Sequence, residues 1–147
     1  MLTEALLAYV HLAAVLAMVV FATSQAALLR SEWLNAAALQ RLLVVDRIYL
    51  ASLAVLLLSG LLRMTLGVKG VAWYGVQPLL WGKLLGLALL AWAAVGPHRA
   101  YIRWSAATSL PSADEVASVR RQVMRASHAM LLIPLLAVLL ARSLLTV

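Results

Sequence analysis

Four long apolar runs in 147 residues leave this chain little choice of environment. A bilayer core of about 30 Å takes about 20 mostly apolar residues per helix. The runs cover residues 4–29, 44–66, 78–103 and 113–146, with little chain left over. In lipid, backbone N–H and C=O groups must be satisfied internally, so apolar runs of this length are helices. The expected fold is all-α: an integral membrane four-helix bundle, with 1–147 forming a single transmembrane domain. Composition agrees, with 65% hydrophobic and only 12% charged residues and a mean hydropathy of +1.00. Soluble domains carry about 25% charged residues.

The absence of cysteine excludes disulfides, thiolate metal sites and iron–sulfur clusters. The net charge of +7 does not indicate nucleic acid. The basic residues sit mainly between the apolar runs, where lipid headgroups and the positive-inside rule account for them. The first run lacks a basic n-region and is too long for a cleaved signal peptide.

Span 1 passes through Tyr9, His11, Met18 and Gln25 and ends at Arg30. Residues 31–41 have the makings of a short amphipathic helix. Span 2 is entered through Asp46-Arg47 and left at Arg63, and Trp73 and Tyr74 in the following loop are natural interfacial anchors. Span 3 starts after Pro78, and Pro97 is expected to kink its inner end. The fourth helix is expected to begin near 113, where Ser112 followed by Glu115 makes an N-terminal capping signature, and to kink at Pro134. Arginines concentrate in the 1–2 loop (Arg30, Arg41, Arg47) and the 3–4 stretch (Arg99, Arg103, Arg120, Arg121, Arg125). The other side has only Arg63, Lys69 and Arg142. That bias places both basic loops in the cytoplasm of a bacterial inner (plasma) membrane, with N- and C-termini outside.

Each run carries a polar stripe. Glu4, His11, Met18 and Gln25 recur every seven residues and share one face. Span 2 has Tyr49, Ser52, Ser59 and Arg63; span 4 has Arg121, Arg125, His128 and Arg142. Span 3 has Lys83 beside Gly82 and Gly86, a GxxxG pair that permits close helix contact. Ionisable groups inside a bilayer are costly and mark function by default. From the rise per residue, His11 lies roughly 10 Å past Glu4, and Lys83 roughly 7–8 Å past Pro78. Both therefore fall at similar depth in the outer half. His98 and His128 fall together near the inner ends of spans 3 and 4.

These residues admit more than one use. His11 suits an axial haem ligand and equally a hydrogen bond to a neighbouring helix. Lys83 suits a ligand, a proton carrier or an anion contact, and at its depth also snorkelling to headgroups. His98 and His128 suit a ligand pair or two interfacial histidines. Asp46-Arg47 reads as a boundary ion pair or interface anchor, Arg63 as an anion or headgroup contact, and Trp81, Trp92 and Trp104 as packing or interface residues. There is no HExxH, phosphate loop, Ser/His/Asp set or carboxylate pair within a span, so hydrolase and nucleotide chemistry have no support.

The span-1 histidine, Arg47-Ile48-Tyr49 opening span 2, Gly60 near its end, and Trp81-Gly82-Lys83-Leu84-Leu85 opening span 3 resemble the HemJ-type protoporphyrinogen oxidases. They also resemble CopD-like membrane modules. The first resemblance implies bound haem b and a tetrapyrrole substrate. It gives His11 the role of metal ligand, and Lys83 that of catalytic residue or second ligand. His98 resembles the family's late span-3 histidine and would join the cofactor site, while Arg63 is placed to meet a propionate. The span-1 continuation, Val15 to Gln25, departs from the family's Trp/Gly-rich pattern, and span 4 has no clear match. Over its whole length the chain is closer to an uncharacterised group of bacterial four-span proteins with a domain of unknown function. The leading expectation is a haem-binding redox protein. The alternatives are a non-catalytic oligomerising scaffold or accessory subunit of a larger complex, built on Gly82 and Gly86, and a copper-handling module using His11 and Met18.

Overall fold

The computed structural model describes residues 2–66 and 70–141, among which there are six helices and no strand. They are α1 (Leu2–Leu28), α2 (Ala36–Leu66), α3 (Gly70–Gly75), α4 (Pro78–Ala106), α5 (Ala113–Ala129) and α6 (Leu132–Ala141). Three of them, α1, α2 and α4, are long and apolar enough to cross a membrane. The fourth column is α5 followed by α6. Contacts run from α1 to α2, α2 to α4, α4 to α5 and α6, and back from α5 to α1, closing a ring of four columns. The chain is an all-α membrane bundle.

Most exposed residues along the middle of the spans are apolar, as a lipid-facing surface requires. Leu12, Leu16, Leu57, Leu58, Leu61, Leu85, Leu89 and Trp92 all point outward. Inside, small residues let the columns approach: Ala14, Ala22 and Ala94 pack with Met18, Tyr49, Leu56, Leu90 and Met130 at mid-bundle. A second cluster fills the end that carries the basic loops, around Leu29, Leu42, Tyr101, Trp104, Val116, Val119 and Val123.

The element boundaries correct several expectations. Residues 31–41 do not form a helix of their own: 31–33 are a turn, and α2 begins at Ala36. Asn35 starts it, its side-chain oxygen accepting from the Ala38 N–H at 2.9 Å. At 31 residues, α2 is about 46 Å long and outreaches a 30 Å hydrocarbon core. Pro97 does not interrupt α4. The fourth column, expected to bend at Pro134, breaks one turn earlier at Met130–Leu131. Proline has no N–H for the carbonyl four residues back. The Met130 carbonyl therefore accepts from Ile133 at 3.2 Å, a tighter turn. The side chains of the expected anchors Trp73 and Tyr74, together with Lys69 and Arg142, lie outside the described residues.

Candidate functional site

Two polar clusters occupy opposite ends of the apolar interior, and α1, α2 and α4 contribute to both. The first centres on His11 of α1. Its Nδ1 lies 3.0 Å from the Ser59 Oγ of α2. The Ser59 hydroxyl is also 3.2 Å from the Leu56 carbonyl, to which it donates. That leaves the serine oxygen to accept from an Nδ1–H, and the imidazole Nε2 free. Gly60 makes this approach possible, since a Cβ there would stand 3.3 Å from His11 Cε1. Arg63, one turn on from Ser59, and Lys83 of α4 both lie within Coulombic range of His11. Arg63 also lies within that range of Lys83. His11, Arg63 and Lys83 are each half-buried. The ion pairs among the described residues are His98–Asp46 and Arg103–Glu115, so neither Arg63 nor Lys83 has a carboxylate partner there. Three basic groups without an acid form an environment that favours an anionic or electron-rich ligand.

The second cluster is built on Asp46, which is 1% exposed. His98 Nδ1 donates to Asp46 Oδ2 at 2.6 Å. Gln25 Nε2 donates to Asp46 Oδ1 at 3.4 Å, and the Tyr101 hydroxyl donates to Gln25 Oε1 at 3.2 Å. Asp46 is thus a buried partner of α4 and no boundary pair with Arg47. Beside it, Gln25, Tyr49, Ala93, Pro97 and Ser127 help line a cavity of about 20 Å³, enough for one water. Pro97 supplies no N–H to the Ala93 carbonyl, so one wall of that cavity carries an acceptor with no i+4 donor.

The clusters are separated consistently on all three helices. Gln25 follows His11 by 14 residues, Ser59 follows Asp46 by 13, and His98 follows Lys83 by 15. Each interval is about 20 Å along a helix axis. His11 and Lys83, expected at similar depth, lie within Coulombic range of each other, with Arg63 and Ser59 at the same end. His98 belongs to the other end. His128 does not pair with His98: its Nδ1 donates to the Met124 carbonyl of its own helix at 2.6 Å. Met18 is buried in the mid-bundle apolar cluster, about 10 Å along α1 from His11.

The comparisons with known proteins agree with this architecture. Residues 3–144 match a family model described as "Predicted membrane protein (DUF2214)". The chain belongs to this family. No curated protein and no solved structure matches it. DUF2214 membership accounts for nearly the whole chain and names no reaction.

Reasoning from sequence missed Tyr101 and misplaced Asp46. Both had a signal. Asp46 extends the Tyr49, Ser52, Ser59, Arg63 stripe by one further i,i+3 step, and Tyr101 is i+3 from His98 on α4.

Proposed function

We propose that this DUF2214 protein is a b-haem-binding redox protein of a bacterial inner membrane, with both termini outside and a tetrapyrrole as its substrate class. The observation that carries the reading is the His11–Ser59 hydrogen bond at 3.0 Å, with Arg63 and Lys83 close by. Histidines that ligate a metal donate their other ring N–H to a neighbouring acceptor, which fixes the tautomer and aims the free nitrogen. Ser59 plays that part for His11, and half-burial leaves the ring's free edge accessible. The donor set therefore suits haem: one imidazole nitrogen, a guanidinium for a propionate, and a lysine amine as second ligand or proton-handling group.

In this reading His11 would ligate the haem iron, Arg63 would hold a propionate, and Lys83 would be the second ligand or the group that handles substrate and proton. Haem, when bound, supplies the one-electron couple. The chain's residues would bind and orient it. His98, about 20 Å away along α4, serves the Asp46 cluster instead. For the scaffold alternative, a Cβ built at Gly86 would meet Ile133 of the same chain at 3.6 Å, so that glycine lies beside α6.

The test is the absorption spectrum of detergent-purified protein, oxidised and dithionite-reduced, with and without added hemin. A Soret band that His11→Ala abolishes and Lys83→Ala shifts is the expected result. A blank spectrum that hemin does not restore ends the haem reading and leaves the cationic cluster as an anion site without redox chemistry.

A further inference from the structure

The fourth column carries a feature that neither polar cluster uses. On α5, Arg121, Arg125 and His128 follow at i, i+4 and i+7, and Arg120 and Met124 lie alongside. Together these five residues line an open groove of about 430 Å³. Its opposite face, Val116, Val119 and Val123, is buried in the bundle, so the groove side is fixed outward.

The groove's donors are oriented and unspent. Arg120 uses Nε on the Ala26 carbonyl in the last turn of α1, at 3.2 Å. Helix-end carbonyls have no intrahelical partner, so this bond anchors the guanidinium and leaves its NH groups for the groove. None of the three arginines takes part in an ion pair among the described residues. His128 spends its Nδ1–H on the Met124 carbonyl at 2.6 Å, so Nε2 of the neutral ring is an acceptor and the groove's donation comes from the arginines. Met124 adds an apolar floor. Arginine forks match phosphate oxygens bidentately.

Depth singles out the source of such a phosphate. The apolar α6 begins at Leu132. Arg125 and His128 precede it by seven and four residues, or about 10 and 6 Å of helix. Headgroup layers add about 5–8 Å to each side of the hydrocarbon core, which takes in His128 and brings Arg125 within reach through its long side chain. We propose that the Arg120–Arg121–Arg125–His128 groove is a binding site for a phosphodiester group, the headgroup of an anionic phospholipid. The site uses none of the residues assigned to haem and stands or falls independently of that reading.

The experiment is native mass spectrometry of the full-length protein released from nanodiscs of phosphatidylglycerol, of diphosphatidylglycerol or of phosphatidylcholine. The variants are Arg121→Gln/Arg125→Gln and a control of equal charge loss, Arg41→Gln/Arg99→Gln, both at exposed positions. Circular dichroism and gel filtration confirm that each is folded. Wild type and control retain an anionic lipid, and the groove variant loses retention at least tenfold. Competition by millimolar inorganic phosphate identifies the groove as a phosphate site open to soluble anions; resistance to it identifies a lipid site. Equal loss in groove variant and control, or equal retention of phosphatidylcholine, overturns the proposal.

Discussion

Gly60 and Gly96 show how differently two missing methyl groups act. A Cβ at Gly60 meets the His11 ring at 3.3 Å, between two packed helices. A Cβ at Gly96 meets only the Gln122 amide oxygen, the end of a flexible side chain, at 2.7 Å. Gly60→Ala is therefore expected to push the imidazole off Ser59 and lower any hemin affinity several-fold, whereas Gly96→Ala leaves it unchanged; hemin titration of the two variants checks this. The Asp46–His98 pair has a different sensitivity. His98→Ala strands a buried carboxylate and costs about 3 kcal/mol, while Asp46→Asn, which keeps shape and an acceptor, costs less. Denaturant unfolding in micelles ranks them, and equal losses would count against the buried pair. His11, Lys83, Arg63 and Gln25 stood out in the sequence as polar residues in apolar runs. Asp46 was misread because Arg47 is its chain neighbour. Successive residues on a helix diverge in direction, and its actual partner is 52 positions away.

Among the elements, α5 is the most legible and α6 the least. The Ser112 cap accepts from the Glu115 N–H at 3.3 Å, as the capping signature implies. Glu115 also pairs with Arg103, tying the start of α5 to the end of α4. The Trp104 indole, which lies near it without closing a direct hydrogen bond, and the Arg103 guanidinium hold the Glu115 carboxyl below the usual glutamate range. A depressed carboxylate stabilises the fold above its unfolded value and loses that contribution as pH falls through the folded one. The protection factor of amides in the first turns of α5 is thus expected to stay constant from neutral pH to the ordinary glutamate range and to fall below it. Arg103→Gln should remove that step. The break at Met130–Leu131 was legible in kind, from Pro134, and displaced in position. A proline's missing bond is felt at the carbonyl four residues earlier.

For the whole molecule, the four-column ring follows from the apolar runs, since lipid permits few other arrangements. The pairing of stripes into two separate clusters does not follow, because stripe position gives a face and a depth but no partner. Distance makes the clusters energetically independent. Ser59→Ala and Asp46→Asn act about 20 Å apart along α2, so their effects on unfolding should add within about 0.5 kcal/mol. A larger deviation in a double-mutant cycle would indicate coupling through the mid-bundle cluster. The same separation has an electrical meaning. About 20 Å is two-thirds of a 30 Å hydrocarbon core, and a unit charge crossing the whole core at 100 mV changes energy by about 2.3 kcal/mol. Any cycle that charges the His11 end while discharging the Asp46 end would feel most of the transmembrane potential, and its equilibrium would move with membrane voltage.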